Sequence, residues 1–226
     1  MDAHNRIWLQ LACVGLLSSS VVACSDSPTA PPPDEALQGE IVVPLRLHLL
    51  RSSQSTSLNA PLTVEQAQTL VRDVNTVWAQ ADIRWSIEVL VEDDAILTPN
   101  VVNAFNRPGG ADFPVLLEAI GGDPADTGWD AYLVRDFGGA GFAGVYFTGS
   151  GIAFAKLADG EGEVDLVDFG TRVLAHELGH SLSLAHVACP PQGNLMAAGC
   201  LAQVRTGLTE AQVAAARRQA QTGRPF

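Results

Sequence analysis

From Ile41 onward the apolar positions fall on alternate residues. Ile41, Val43, Leu45, Leu47 and Leu49 share one side and Arg46 and His48 the other, the period of a half-buried strand with His48 facing solvent. The period then lengthens. Between Thr63 and Ala81 the apolar stripe is Ala67, Leu70, Val71, Val74, Trp78 and Ala81, which predicts a helix with Thr63 and Gln66 as its capping box and Trp78 in the core. Ile83, Trp85, Ile87, Val89 and Val91 alternate again with Arg84, Ser86 and Glu88, giving a second strand. Strand, helix, strand in that order predicts a right-handed crossover into a parallel pair.

The middle of the chain carries a weaker pattern. Between Asp93 and Gly122, Asp112 and Pro114 open one short helix that ends at Gly121. Ala131 to Val134 reads as a strand, and the glycine-rich run from Gly138 to Gly160 holds two more, Phe142 to Phe147 and Ile152 to Leu157. No P-loop lysine follows that run, so it does not read as a phosphate cradle. The acidic residues Asp159, Glu161, Glu163 and Asp165 form a solvated loop; calcium is conceivable there, but the spacing is not that of an EF-hand. Asp168 or Thr171 is expected to cap the next helix, with Val173, Leu174, Leu178 and Leu182 or Leu184 toward the core. Beyond it, Pro190, Pro191 and Gly193 impose irregular backbone, Asn194, Leu195 and Met196 a tight turn, and Thr209 with Gln212 the start of a last helix through Val213, Ala216 and Arg217. The fold class is α+β with an α/β-type N-terminal lobe, and there are no internal repeats.

Composition sharpens this picture at the N-terminal side. With 226 residues, 47% apolar and 17% charged, the chain can bury one sizeable core. A net charge of −12 repels polyanions and argues against nucleic acid as a partner. Residues 1–23 resemble a secretory signal, with Arg6 ahead of an apolar stretch from Ile7 to Leu17, too short for a convincing membrane span. Val21, Val22, Ala23 and Cys24 resemble a bacterial lipobox, which implies cleavage before Cys24 and acylation of its thiol. The expected location is therefore the bacterial cell envelope, with lipid as the sole membrane attachment. Ser25 at the next position points to the outer membrane if the cell is Gram-negative. Residues 24–40 are rich in proline, small polar and acidic residues and read as a disordered tether, leaving no room for a prodomain. Cys13 leaves with the signal, so Cys189 and Cys200 remain as the expected disulfide of an exported chain, stabilising by about 3 kcal/mol in the loop-entropy account.

The candidate chemistry lies in His176 to His186, reading HELGHSLSLAH. Four residues apart on a helix, His176 and His180 lie on one face and reach one metal ion. Glu177 sits beside the first, where a carboxylate can touch a water at the metal without being a ligand. His186 can be a third ligand only if the chain turns out of the helix and returns. Three of the five histidines fall within these eleven residues. Three neutral imidazoles leave a fourth zinc position open, the arrangement of a catalytic site.

HELGHSLSLAH, followed ten residues after His186 by Met196, resembles the metzincin clan of zinc endopeptidases, with reprolysin-like and matrixin-like members similar also in the C-terminal LTEAQVAAARR. The resemblance implies His176, His180 and His186 as ligands of one Zn²⁺, Glu177 as general base and Met196 as a floor beneath the metal. It also implies a twisted mixed sheet with an antiparallel edge strand, an active-site helix, and a small C-terminal lobe with a Met-turn and terminal helix. The catalytic domain would span 41–226, with lobes of about 41–186 and 187–226. An extended peptide would pair with the edge strand, within Phe142 to Leu157. A monomer is expected. Ser183 departs from the clan's glycine, at a cost of about 1 kcal/mol if its φ is positive. Ala198 stands where some branches have tyrosine. Two other readings compete: a zinc-stabilised surface binding module without catalysis, and a narrow zinc amidase acting on a small substrate such as a peptidoglycan peptide.

Overall fold

The structure, a computed structural model, describes residues 39–107, 109–121, 128–158, 163–188, 193–198 and 206–226. The expected signal, Cys24, nearly all of the tether, Cys189, Cys200, Asp159 and Glu161 lie outside these residues. All described residues belong to one compact unit, Ala36–Phe226.

Among the described residues, five strands form one sheet in the order β2-β1-β3-β5-β4. The long β1 (Ile41–Arg51) runs parallel to β2 (Ile83–Asp94) on one side and to β3 (Asp130–Val134) on the other. Next to β3 comes the parallel β5 (Ile152–Lys156), and β4 (Gly144–Phe147) closes the sheet as its antiparallel edge. Between β1 and β2, α1 (Val64–Trp78) begins at Thr63 with both halves of the capping box formed, then tightens into a 3₁₀ turn over Ala79–Ala81. Every member of its expected stripe is buried. Two glutamine- and threonine-led boxes thus bracket the domain, because the last helix, α5 (Glu210–Gln221), starts the same way at Thr209 and Gln212.

The alternation of β2 does not run its full length. Leu45 pairs with Ile87 but Arg46 pairs with Val89, so Glu88 is an extra residue in a bulge. Beyond it the inward side changes: Val89 is exposed and Leu90 packs on the core.

Both faces of the sheet are covered. On one, the inward residues of β1 meet α1, α4 (Thr171–Ser181) and α5. On the other, β3, β4 and β5 meet α2 (Pro99–Asn106) and α3 (Phe113–Ala119). Asp112 caps α3 as the sequence suggests, whereas α2, capped by Thr98 with Pro99 in its first turn, was not anticipated.

This second layer corrects the reading of His48. Its ring is only 14% exposed, held between Asp93 Oδ2 at 2.5 Å and Asp130 Oδ1 at 2.9 Å. It stacks on Tyr132, with ring centroids 4.3 Å apart. Arg46 donates from Nε to Asp130 Oδ1 at 2.8 Å and from Nη2 to Oδ2. Burial alone would lower the His48 pKa, but its bonds and charge interactions with Asp130 and Asp93 outweigh that, and the net shift is upward. For Asp130 burial pushes up, and the bonds from His48 and Arg46 prevail and hold it low.

Candidate metal centre and cleft

The approach to α4 is a π-helical turn, Leu166–Gly170, and its cap is neither of the expected residues. Asp165 accepts from the backbone N–H groups of Val167, Asp168 and Phe169, while the Thr171 hydroxyl donates back to Leu166 O at 2.8 Å. One of the four acidic residues considered for calcium is therefore engaged in capping. Val173, Leu174, Leu178, Leu182 and Leu184 are all buried, which fixes the rotation of α4 and turns His176 and His180 outward.

The helix ends in a left-handed serine. Ser183 has φ of 67°, its N–H donates to His180 O at 2.9 Å, and Leu184 N–H donates to Gly179 O at 3.0 Å, the two bonds of a Schellman motif. Glycine is the usual residue there because it has no Cβ to clash. The turn sends the chain back along the helix, and Leu184 O then accepts from His180 Nδ1 at 2.7 Å. Two residues later His186 returns to the other histidines.

The three Nε2 atoms converge. The separations are 3.1 Å for His176 to His180, 3.1 Å for His176 to His186 and 3.0 Å for His180 to His186. His176 Nδ1 faces Leu195 O at 2.7 Å and His180 Nδ1 faces Leu184 O, so carbonyls take both Nδ1 protons. The Nε2 lone pairs of His176 and His180 then both point to the space they share with His186 Nε2, where a cation can accept all three nitrogens. A triangle of that size has a point about 2 Å from all three corners, the Zn–N bond length, just above its plane. The donor set fits one metal ion. Burial holds the His180 pKa below its ordinary value, which favours the neutral form that ligates.

Met196 belongs to the turn that carries Leu195. Its N–H donates to Asn194 Oδ1 at 2.9 Å and its carbonyl accepts from Val187 N–H at 2.9 Å, so the residue after His186 is paired to the turn. Met196 is fully buried against Gly179 of α4. Asn194 and Gln212 exchange amide hydrogen bonds at 2.7 and 3.3 Å, and Gln212 is the same residue that completes the cap of α5. The sequence located Asn194, Met196 and Gln212 but did not connect them.

Glu177 is 5% exposed and lies against Gly144 of β4, where a Cβ would come within 2.4 Å of its Oε1. Burial pushes its pKa up to about 8. A cation at the imidazoles would oppose that shift. Glu177, His180, His186, Gly144, Tyr146 and Phe142 all line one cavity of about 560 Å³. Among the described residues, His176, His180 and His186 are the only group of three or more histidine, cysteine or acidic residues placed to hold a metal.

Neither a family model nor a curated protein matches the chain. Solved structures do. An archaemetzincin from Methanopyrus kandleri shares 15% identity over 80% of this chain and 92% of its own, with a TM-score of 0.45. A zinc-dependent peptidase from Methanocorpusculum labreanum shares 16% identity over 77% of this chain and 99% of its own, also with a TM-score of 0.45. The chemistry of the site rests on this chain's own side chains.

No helix among the described residues is long and apolar enough to cross a membrane.

Proposed function

We propose that this chain is a zinc-dependent endopeptidase of metzincin type. The carrying observation is the convergence of three Nε2 atoms within 3.1 Å beside a buried glutamate in an open cleft. His176, His180 and His186 would hold the ion. Bound there, zinc would supply Lewis acidity toward a carbonyl and lower the pKa of a water ligand to about 7.

The protein supplies the rest. A peptide lies extended along the free edge of β4, which brings its scissile carbonyl over the histidines. Glu177 takes a proton from the attacking water and returns it to the leaving amine, so the C–N bond breaks to a carboxylate and an amine. Leu195 O and Leu184 O hold two of the imidazoles in the ligating tautomer, and Met196 packs beneath them as the floor of the site.

The same reading places the enzyme as a monomer on the bacterial envelope. Cys24 carries the lipid, residues 24–40 form the tether, residues 41–226 the catalytic domain, and Cys189–Cys200 a disulfide next to the turn of Met196. A Cys24→Ala variant found in the soluble fraction supports the anchor; one retained on membranes rejects it.

The central test is metal analysis with a peptide-library digest, with and without chelator. The expected result is one zinc per chain, chelator-sensitive cleavage within peptides, and a Glu177→Ala variant that keeps zinc but loses about 10²–10⁴-fold in turnover. Stoichiometric zinc without cleavage would move the protein to the non-catalytic binding module.

A further inference from the structure

The cleft has a wall that the zinc site does not need. After α5 the chain crosses back over the molecule, and Arg224 O is held by Gln219 Nε2 at 3.0 Å and Thr222 Oγ1 at 3.0 Å. Pro225 then seats on Gly151, where a Cβ would meet its Cγ at 2.7 Å. Phe226 follows with both of its backbone polar groups engaged. Its N–H donates to Ser181 O at 2.9 Å, and its carbonyl accepts from Gly149 N–H at 2.9 Å and from the Tyr146 hydroxyl. The backbone of Phe226 is therefore clamped between the end of α4 and the β4–β5 turn. Its side chain, 51% exposed, lines the same cavity as Glu177 and His180.

A large apolar side chain whose own backbone is fixed by three hydrogen bonds, and which is left half in water, presents a surface for an apolar group to cover. The facing surfaces are also apolar. Phe113, half-exposed at the start of α3, packs edge-on to Phe142 with ring centroids 5.2 Å apart, and both line the cavity. Among the described residues of the lining, Glu177 is the only acidic side chain and there is no lysine or arginine.

We infer that Phe226, clamped by Ser181, Gly149 and Tyr146, forms with Phe113 and Phe142 a specificity pocket for one large apolar side chain of a peptide lying along β4. This rests on the peptidase reading for its occupant. Phe226 sets the size limit of the pocket, and Tyr146 is a positioning residue that acts through the Phe226 carbonyl.

Two measurements on the full chain separate this inference from that reading. One is the cleavage profile of a peptide library by the wild type, Phe226→Ala and Phe226→Trp. The other is binding of N-acetyl-phenylalanine amide, N-acetyl-leucine amide and N-acetyl-alanine amide to the same three proteins, followed by NMR, which needs no turnover. Phenylalanine, leucine or methionine should dominate one library position. Phe226→Ala should lower kcat/KM for those side chains about tenfold, relatively sparing tryptophan, and Phe226→Trp should shift preference toward alanine. The phenylalanine amide should bind the wild type more tightly than the alanine amide and weaken about fivefold or more in Phe226→Ala. Unchanged metal content and unfolding midpoint in both variants exclude a merely structural effect. If the amides discriminate in this way while no library peptide is cleaved, the pocket stands and the peptidase reading falls. If the profile shows no apolar preference, if the Phe226 variants leave profile and binding unaltered, or if neither cleavage nor amide binding occurs, the inference is overturned.

Discussion

Gly179 and Met196 are in contact through the one place on α4 where a side chain would not fit: a Cβ at position 179 would come within 2.6 Å of Met196 Sδ and 3.2 Å of its Cε. Glycine inside a helix costs about 1 kcal/mol relative to alanine, so by propensity alone Gly179→Ala should stabilise. Overpacking a full core costs about 1–3 kcal/mol, and Met196 is fully buried, with the equally buried Trp78 3.6 Å from the same added Cβ. The expected outcome is a net loss of about 1 kcal/mol in chemical denaturation, with weaker zinc binding in a competition titration. A gain in stability would show that Met196 can swing aside.

Gly144 stands in the same relation to Glu177, at the edge of the cleft. Gly144→Ala puts a methyl group 2.4 Å from Glu177 Oε1 and 2.6 Å from its Cγ, so the carboxyl group must move while the three histidines are untouched. Zinc content should stay at wild-type level and kcat should fall by about tenfold to a hundredfold, with KM little changed. Loss of the metal together with activity would mean that β4 supports the ligands and not the base.

Ser183 carries the strain of a left-handed residue with a Cβ. Replacing it by glycine relieves about 1 kcal/mol and costs about 0.5 kcal/mol in unfolded-chain entropy, for a net stabilisation of about 0.5 kcal/mol. Ser183→Val, β-branched at φ of 67°, should lose more than about 1 kcal/mol and raise the zinc dissociation constant, because His186 follows the same turn. Paired denaturation and zinc titrations of the two variants give opposite signs if the turn positions the third ligand.

The bracket of His48 gives a pH dependence of known sign. The unfolded reference is 6.5 and the folded pKa is higher, so the stabilisation from protonated His48 is complete below about pH 6.5 and is lost as pH rises through the folded value. Asp130, held low by His48 and Arg46, works at the other end: its contribution is present above its ordinary value of 3.8 and disappears as pH falls through the folded one. Stability should therefore decline from pH 6 to pH 8.5, and His48→Gln should flatten that decline. Urea midpoints of both proteins across the range would show it; parallel curves would dismiss the coupling.

The legible parts of the molecule were those decided within one turn of backbone. Both capping boxes, the i and i+4 histidines and the Asn194–Met196 turn depend on residues two to four apart, and each formed where the spacing puts it. The antiparallel edge was expected within Phe142 to Leu157, and β4 is that edge; which of the interval's two strands it would be was not legible, since sheet order is set by crossovers. What escaped were contacts closed by tertiary structure. His48 lies opposite the expected core face, yet register brings Arg46 to Asp130 and His48 to Tyr132, and Asp93, Asp130 and Tyr132 enclose its ring. The bulge at Glu88 turns Val89 outward and Leu90 onto the core without any local signal. Asp165 replaced the expected caps because the helix starts with a π turn, which moves the N-terminal donors back by a turn. Only α2 had a readable signature that went unused, Thr98 followed by Pro99.

Gln212 satisfies two backbones at once, the start of α5 and, through Asn194, the turn that bonds His176 and adjoins His186. Local opening of that helix start and loosening of the histidines are therefore one equilibrium. Amide protons at Val213 and Met196 should exchange with solvent at matched rates and slow together when the site is loaded, making hydrogen exchange in the last helix a remote gauge of the metal centre.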